Sequence, residues 1–385
     1  MNDLFEKIKL AKELNNIDVK FGDNLFWDFL KKGIDDSNIL VLLSLGSKYR
    51  EFDQKIRNIS SKRLKFQFVS QEPDVEMLDY FCGELKKLNI ETVIAVGGGS
   101  VIDTAKIISL MLSNNIYNSS DLIRLSKENF LEEKIKVIAV PTTAGTGAEA
   151  TPFSTIWDFQ KEKKFSCLAS DFSEREIILD PQLTISLPFL QTVSSGLDAI
   201  CQNLESMWSL KSNSDVKKIA GEGIILGMKN LIKSTKNPEN LDFRRNLLVA
   251  SYLSGVSISI SETTLCHSIS YPLTYKFNVP HGLACSFSLL EVLKYNYSVV
   301  PQIVDEIISE IRLNSFNELI QGFDELLISL DYQKIMKPYF LTQNINTDEL
   351  ALECIDSTRS SNNPGLVNDK VVKRILDKSL NYIFN

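Results

Sequence analysis

The stretch Thr92-Val93-Ile94-Ala95-Val96-Gly97-Gly98-Gly99-Ser100 decides the fold class of the N-terminal half of the chain. It has the pattern of a buried strand followed by a glycine-rich turn, and a helix-compatible run continues to about Leu112. Apolar runs with strand character also lie at 39–43, 65–69 and 136–140, with helical patterns between them. This alternation is typical of a parallel sheet with helices on both faces. We therefore predict an α/β domain with a Rossmann-like parallel sheet over residues 1–185.

The glycine-rich turn at 97–100 has the composition of a pyrophosphate cradle. Glycines let the backbone approach phosphates closely, and the free N–H groups at a helix start point at the anion. A tight strand–helix turn would explain the same residues, because GGGS is not the dinucleotide fingerprint GxGxxG. A second polar, glycine-rich loop at 141–149 directly follows the predicted strand at 136–140. Two such loops at strand ends favour a dinucleotide ligand.

The character of the chain changes near residue 180. Residues 180–188 form a proline-bounded connection, and strand signals mostly vanish beyond Gln191. Helical periodicity covers the stretches 192–209, 215–233, 242–260, 281–297, 301–313 and 316–330. We therefore predict an all-α domain over residues 186–385.

Histidine is rare in this chain of 385 residues, and His267 and His281 are the only two. Imidazole is the commonest side-chain ligand of catalytic divalent metals, although a pair of hydrogen-bonded structural histidines would also fit. Asp198 and Gln202 are four residues apart, so on a helix they share one face and could offer oxygens to one ion. Asp198 could equally be an ordinary acidic residue in a first helical turn.

Composition narrows the class of protein. Hydrophobic residues make up 44% of the chain and charged residues 24%, with a net charge of −7, which argues against general nucleic-acid binding and against an anionic membrane surface. No apolar run approaches the ~18–20 residues that span a bilayer, and the first residues lack the pattern of a signal peptide. The six cysteines show no CxxC spacing and have the pattern of reduced thiols. We predict a cytoplasmic enzyme with neither a nucleic-acid nor a membrane partner.

In combination, these motifs resemble the iron-containing (group III) alcohol dehydrogenase family over residues 39–364. The motifs that carry the resemblance lie at 97–103, 141–149, 196–199, 267 and 280–282. The resemblance implies an N-terminal nucleotide-binding α/β domain and a C-terminal helical domain, as in the related dehydroquinate synthases, with a cleft between them. It also implies NAD(P)-dependent interconversion of an aldehyde and an alcohol, by a homodimer or a larger homo-oligomer.

The resemblance also implies a metal site, with one departure. The family's metal is held by an aspartate, a histidine four residues later and two further histidines. Asp198, His267 and His281 match three of these positions, and Gln202 stands at the fourth. An amide oxygen is a weaker ligand than imidazole, so the resemblance implies Fe²⁺ or Zn²⁺ held with lower affinity. Many members carry another histidine where this chain has Tyr271, which makes Tyr271 a candidate proton donor beside water and the cofactor ribose.

Cofactor contacts follow residue by residue from the resemblance. The pyrophosphate contacts are Gly98, Gly99 and Ser100, and the further contacts along the cofactor are Thr142, Thr143, Thr146, Thr151 and Lys164. Lys164 also lies in a charged run, where a solvated lysine is the simpler explanation. The stretch 43–48, after the first predicted strand, offers a lysine and no acid to bond a ribose 2′-hydroxyl, which favours NADPH over NADH.

The strings at 198–209, 267–271 and 362–364 resemble the branch of the family that reduces phosphonoacetaldehyde to 2-hydroxyethylphosphonate. A phosphonate needs cationic partners, and Arg359 is the first candidate, with Lys276 second. Arg359 would fit equally as a surface residue of a polar loop. The alternatives are a generic short-chain alcohol dehydrogenase of the family, a dehydroquinate synthase-like lyase and a non-catalytic relative that has lost its metal.

Overall fold

A parallel sheet forms the centre of the N-terminal part of the computed structural model, which describes residues 1–33, 38–48, 51–59, 64–70, 72–128, 131–161, 163–169, 175–341, 343, 345–355 and 358–385. Its strands are β1 (Asp18–Phe21), β2 (Ile39–Ser44), β3 (Leu64–Val69), β4 (Thr92–Gly97), β5 (Lys136–Pro141) and β8 (Arg175–Leu179). They pair in the order β1-β8-β5-β4-β2-β3, all parallel. Between β5 and β8 the chain makes an antiparallel hairpin of β6 (Phe153–Asp158) and β7 (Lys163–Leu168).

Helices cover both faces of this sheet, as predicted. They are α1 (Asn2–Asn15), α2 (Leu25–Lys32), α3 (Leu45–Lys48), α4 (Phe52–Ile59), α5 (Val75–Leu85), α6 (Gly99–Ser113) and α7 (Ser119–Lys127). Successive strand residues point to opposite faces. Leu40 and Leu42 therefore enter one core with α5 and α6, whereas Val41 and Leu43 enter another with α2 and α4. The predicted strands at 39–43, 65–69, 92–96 and 136–140 are all confirmed.

The parallel register brings the two glycine-rich loops to one edge of the sheet. Gly97, the last residue of β4, lies opposite Pro141, the last residue of β5. Because the two strands are neighbours and run in the same direction, the loops that follow them leave the sheet side by side. The sheet thus positions a site at the carboxyl ends of its strands, where doubly wound sheets bind ligands.

The C-terminal part is helical, as predicted. Its helices are α8 (Phe189–Trp208), α9 (Ser214–Lys236), α10 (Leu241–Ser261), α11 (Leu265–Phe277), α12 (His281–Phe287), α13 (Leu289–Val299), α14 (Pro301–Glu310), α15 (Phe316–Ser329), α16 (Tyr332–Phe340), α17 (Thr347–Glu353) and α18 (Asp369–Phe384). Helix α8 is buried from Thr192 to Trp208 and lies at the centre of the core. Among the described helices, none is long and apolar enough to span a membrane.

The chain divides into two compact units by its internal contacts. An α/β unit comprises Met1–Thr143 and Gly147–Ile185, and a helical unit comprises Ala144–Thr146 and Ser186–Asn385. The short segment Ala144–Thr146 thus groups with the helical unit, although it lies in the loop after β5. One predicted helix differs from the structure, because the stretch 281–297 is two helices, α12 and α13, with Ser288 between them.

Candidate functional site

Helix α8 carries three polar side chains on a buried face of the helical unit. Asp198, Gln202 and Glu205 are separated by four and three residues, so they lie one above the other along the helix. Asp198 and Glu205 are 2% and 0% exposed. Buried carboxylates are costly unless hydrogen bonds, an opposite charge or a metal compensates them. The face of α8 therefore needs partners from other helices.

His267, in α11, lies between these two carboxylates. Its Nε2 is 3.6 Å from Asp198 Oδ1, and its Nδ1 forms a hydrogen bond with Glu205 Oε2. The other oxygen of Glu205 accepts hydrogen bonds from Thr264 Oγ1 and from the backbone N–H of Cys266, both at 2.7 Å. Glu205 thus acts as an acceptor throughout, which places a proton on Nδ1 and leaves Nε2 facing Asp198, where either a second proton or a metal ion can bind.

The electrostatics of this pocket favour a cation. Burial alone would lower the pKa of His267, because it disfavours the charged imidazolium. The interactions with Cys285, Glu205 and Asp198 outweigh burial and raise the pKa well above its ordinary value. A pocket whose carboxylates favour a proton on imidazole also favours a metal ion at the same place.

His281 reaches the same pocket from α12 because the next residue is glycine. A Cβ on Gly282 would lie 2.0 Å from Ser194 O and 2.8 Å from Asp198 Cβ, so no side chain fits there. This close approach of α12 to α8 brings the rings of His267 and His281 to a centroid distance of 5.5 Å. The string Pro280-His281-Gly282 therefore has a packing reason as well as a chemical one.

Cys285 follows one helical turn after His281 and completes a cluster of four ligand types. The ligand atoms of Asp198, His267, His281 and Cys285 all lie within 4.8 Å of one another. Metal–ligand bonds of about 2.0–2.3 Å in tetrahedral geometry separate neighbouring ligand atoms by about 3.3–3.8 Å. The observed 3.6 Å between His267 and Asp198 and 3.7 Å between Cys285 Sγ and His281 Nε2 match that spacing. The residues present therefore fit a divalent metal ion.

The glycine-rich loops of the α/β unit form a backbone-lined cradle. Helix α6 begins at Gly99 with Gly98 as its N-cap residue, so first-turn N–H groups remain available to an anion. Thr142 N donates to Gly97 O at 2.9 Å, which ties the two loops together. A Cβ on Gly98 would lie 3.2 Å from the side chain of Thr143. Residues of both loops that the sequence predicts to contact a cofactor thus lie next to one another.

Comparisons with known proteins identify the family of the chain. Residues 22–181 match the family described as iron-containing alcohol dehydrogenase, and residues 192–380 match the C-terminal region described as the Fe-containing alcohol dehydrogenase family. The chain belongs to the iron-containing alcohol dehydrogenase family. The family resemblance read from the motifs is confirmed. Its fold is confirmed too: the iron-containing alcohol dehydrogenase structure from Thermotoga maritima covers 95% of this chain and 98% of its own, with a TM-score of 0.80 and 24% identity.

Two curated relatives carry names that specify an aldehyde. The phosphonoacetaldehyde reductase of Streptomyces viridochromogenes is 33% identical over 221 residues, which are 56% of this chain and 56% of the relative. The sulfoacetaldehyde reductase of Bilophila wadsworthia is 28% identical over 235 residues, 60% of this chain and 59% of the relative. The matched stretch thus spans little more than half the length of either relative.

Gln202, which stands where the family resemblance implies a histidine, has a hydrogen-bond partner of its own. Its Oε1 accepts a hydrogen bond from Ser254 Oγ at 2.9 Å, and the same hydroxyl lies 3.5 Å from the carbonyl oxygen of Gly145. A carbonyl oxygen has two lone pairs, so one stays available after this bond. The predicted role of Gln202 as a metal ligand stays a prediction.

Tyr271 and Arg359 lie together on the metal-cluster side of α11. Tyr271 is four residues after His267 and so shares its helix face, and the guanidinium of Arg359 lies 4.9 Å from the centre of the Tyr271 ring. Lys276 is nine residues after His267, which places it about half a turn round the helix. It is exposed and forms an ion pair with Glu353. The structure thus brings Arg359, and not Lys276, to the face that carries His267.

Lys164 and Ser100 meet through an acid that the sequence analysis did not single out. Ser100 Oγ donates a hydrogen bond to Glu72 Oε2 at 2.9 Å, and Lys164 interacts electrostatically with the same carboxylate. The ammonium of Lys164 also lies 5.1 Å from the ring centre of Trp157. Lys164 is therefore near the start of α6, where its charge offsets that of Glu72.

Thr151, another predicted cofactor contact, has a structural setting. It is buried, its hydroxyl lies 3.1 Å from Lys106 Nζ, and its carbonyl oxygen accepts a hydrogen bond from Arg175. Lys106 Nζ also donates to Ala148 O at 2.9 Å. Thr151 thus takes part in a buried network in the α/β unit. Thr146, by contrast, lies in the three-residue segment that groups with the helical unit.

The sequence did not reveal one residue of the metal cluster, Cys285, or the hydrogen-bond partner of His267, Glu205. Glu205 lies seven residues after Asp198, and Cys285 lies four residues after His281. Both spacings return to the same helix face, so a search for acids and thiols on the faces of the predicted ligands would have found them.

Proposed function

We propose that this protein is a metal-dependent, NAD(P)H-dependent reductase that converts a small aldehyde into a primary alcohol. The observation that carries the proposal is the convergence of Asp198, His267 and His281 in one buried cluster. These are the three residues that match the ligand positions of the family. The glycine-built cradle at the start of α6 supports a nucleotide cofactor.

Asp198, His267 and His281 would hold a divalent ion, which would supply Lewis acidity, and the glycine cradle would hold a nicotinamide cofactor, which would supply the hydride. The chain's own residues prepare the site. Asp198 contributes the negative charge that offsets the ion, and Glu205 holds His267 in the tautomer whose Nε2 can ligate. Gly282 lets His281 approach. Because most of the cluster is buried, its electrostatic interactions are stronger than they would be in water.

We propose Tyr271 as the donor of the proton that the alcohol oxygen receives. Its hydroxyl is carried on the helix face of His267, and Arg359 packs over its ring. Loss of a general acid costs about 10²–10⁴-fold in rate, so Tyr271→Phe should lower turnover by that factor while metal content stays unchanged. An unchanged rate would remove Tyr271 from this role and leave water or the cofactor ribose as the donor.

We further propose phosphonoacetaldehyde as the substrate, with 2-hydroxyethylphosphonate as the product. The names of two relatives specify two-carbon aldehydes with an anionic head group. The guanidinium of Arg359 lies 4.9 Å from the ring centre of Tyr271, and a guanidinium can bind phosphonate oxygens in a bidentate manner. The proposal therefore assigns the head group to Arg359.

The experiment compares phosphonoacetaldehyde with propionaldehyde, using metal-loaded protein and following NADPH oxidation. Charged hydrogen bonds are worth about 1.5–3 kcal/mol, so Arg359→Ala should raise KM for phosphonoacetaldehyde ~10–100-fold and change propionaldehyde turnover little. Lys276→Ala, on the opposite side of α11, is the control and should leave both substrates unaffected. Equal losses on both substrates would contradict the role of Arg359.

The same assay separates the alternatives. Activity on aliphatic aldehydes with none on phosphonoacetaldehyde would assign a generic alcohol dehydrogenase. Protein that takes up no metal when metal is offered, and that does not oxidise NADPH, would indicate a non-catalytic relative.

We also propose NADPH as the preferred cofactor. Strand β2 ends at Ser44, and the stretch 43–48 supplies no acid to bond a ribose 2′-hydroxyl. The side chain of Lys48 lies outside the described residues. The ratio of kcat/KM for NADPH and NADH tests the proposal, and a clear preference for NADH would overturn it.

A reducing, cytoplasmic setting and a homo-oligomeric assembly complete the proposal. All six cysteines are buried as free thiols, which suits a reducing compartment. Light scattering of the purified protein measures the assembly, and a monomer at micromolar concentration would contradict it.

A further inference from the structure

Helix α12 presents a thiol beside the histidines of the metal cluster. Cys285 lies one turn after His281, and its Sγ is 3.7 Å from His281 Nε2 and 3.9 Å from His281 Nδ1. The thiol is fully enclosed and interacts electrostatically with His267 and Asp198 on the other side of the cluster. It therefore faces all three residues that match the family's ligand positions.

The number of metal ligands makes the position of Cys285 important. The family resemblance implies four protein ligands, one aspartate and three histidines, and this chain has only two histidines. Asp198, His267 and His281 supply three donors, whereas Gln202 Oε1 has one lone pair left after it accepts the hydrogen bond of Ser254. A thiolate is a strong ligand of divalent metals, whereas an amide oxygen is a neutral and weak one.

We propose that Cys285 is the fourth protein ligand of the metal, bound through its sulfur in the place of the family's third histidine. Gln202 stays with Ser254 outside the ligand set. As the metal–sulfur bond forms, the thiol loses its proton to solvent and binds as the thiolate. The proposal rests on the metal site of the proposed function and specifies its ligands.

A second thiol in reach is less suitable. Cys201 forms a candidate group with Glu205 and His267. That group would need Glu205, whose oxygens are committed to Thr264, the Cys266 backbone and His267 Nδ1. Cys201 Sγ itself is directed at the carbonyl oxygen of Cys285, 3.6 Å away. Cys201 therefore supports the backbone of α12 without binding the metal.

A sulfur ligand changes which metal the site selects. Thiolates favour zinc over the harder ions that oxygen ligands prefer, and an Asp-His-His-Cys set suits tetrahedral Zn²⁺ or Co²⁺. We therefore expect the purified protein to retain Zn²⁺ in preference to Fe²⁺ when both are offered in equal amounts.

The test reads the ligands directly, without depending on activity. In X-ray absorption of the Zn²⁺-loaded full chain, we expect one sulfur scatterer at about 2.3 Å. In the Co²⁺-loaded protein, we expect a thiolate-to-metal charge-transfer band in the near ultraviolet. Cys285→Ser should remove both signals and weaken Zn²⁺ binding more than ~100-fold, beyond what loss of an outer partner costs.

Matched controls use other buried cysteines of the helical unit. Cys201→Ser and Cys354→Ser should keep the sulfur scatterer and the charge-transfer band. Because the wild-type X-ray spectrum needs no variant, the test stands even if Cys285→Ser fails to fold. Bound metal with only nitrogen and oxygen neighbours would overturn the proposal and leave the proposed function intact, as would a band that disappears in Cys201→Ser alone. Failure of the wild type to bind any divalent metal would overturn both.

Discussion

The metal cluster and the nucleotide cradle are built from different chemical material. The cluster consists of side chains from α8, α11 and α12, and Glu205 orients one of them, His267. The cradle consists of backbone at the ends of β4 and β5, with small residues that leave the peptide groups accessible. A side-chain site requires particular functional groups, whereas a backbone site requires the absence of side chains that would cover the peptide groups.

This difference explains where the chain departs from its family. One metal-ligand position carries Gln202 where the resemblance implies histidine, and a nearby thiol can replace the missing donor. The glycine loop has less freedom of this kind, because a Cβ on Gly98 would lie 3.2 Å from the side chain of Thr143, which would have to shift. Ligand exchange is therefore possible in the cluster, while the cradle keeps its small residues.

The strongest test of a side-chain site removes one ligand. We expect His267→Ala to lose most of its bound metal and to lower turnover by more than ~10³-fold, because the Lewis acid and its charge stabilisation are lost. Elemental analysis and NADPH oxidation measure the two effects. Tyr275→Phe is a control in the same helix as His267. It removes an exposed hydrogen bond to Glu353 and should change neither the metal content nor the turnover. Full metal content in His267→Ala would show that metal binding does not depend on this side chain.

The next prediction concerns the partner that orients the ligand. Glu205→Gln replaces an acceptor-only carboxylate with an amide that cannot accept the same set of hydrogen bonds, so His267 should lose its fixed orientation. We expect metal affinity to fall ~10–100-fold, measured by competition with a chelator. Glu262→Gln, which affects an exposed ion pair with Lys211, is the control. Equal affinities of Glu205→Gln and wild type would show that the carboxylate is dispensable.

A third prediction asks whether the side-chain site also depends on backbone. Gly282→Ala places a methyl group 2.0 Å from Ser194 O. We expect the free energy of unfolding to fall by about 1–3 kcal/mol, as in other overpacked sites, and His281 to be displaced. Urea denaturation measures the change. Gly221→Ala in α9, whose nearest contact would be 3.4 Å, should be neutral or stabilising. If both variants were equally stable, the close approach of α12 to α8 would not matter.

The smallest effects are expected in the cradle. Gly98→Ala adds a methyl 3.2 Å from Thr143, which must shift by a few tenths of an ångström. We expect KM for the cofactor to rise ~3–10-fold. Ser100→Ala removes a hydroxyl that donates to Glu72, and it should change KM less than ~2-fold. A larger effect for Ser100→Ala than for Gly98→Ala would mean that the cradle, too, depends on side chains.

The parts of the fold that the sequence predicted correctly share one property. Strands β2, β3, β4 and β5 carry short apolar runs whose pattern needs no tertiary information. Strands β1 and β8 were not predicted: β1 is four residues long with only Phe21 buried, and β8 begins with Arg175 and Glu176. Arg175 is buried there because Glu133 pairs with it from forty-two residues away. No local pattern reports such a partner.

The helical unit shows the same limit. Helix α11 was not predicted, and it carries Pro272 in its interior, a residue that normally ends helices. The sequence did predict that Asp198, His267 and His281 converge, through the family resemblance. Glu205 and Cys285 share helix faces with predicted ligands, but the sequence did not show that Glu205 contacts His267, 62 residues away, or that Cys285 interacts with residues of other helices. Such contacts form only when the helices pack against one another.

The stretch of α8 between Asp198 and Glu205 sets the distance and the angle between the two carboxylates. Seven residues rise about 10 Å and rotate about 700°, nearly two full turns, so both carboxylates meet the same imidazole from its two sides. Substitutions within this stretch change packing, but an insertion or deletion of one residue would rotate Glu205 by about 100° away from His267. The length of this short stretch is therefore a stricter requirement than its composition. Among natural variants of this chain, the spacing between these two acids should stay fixed even where the residues between them change.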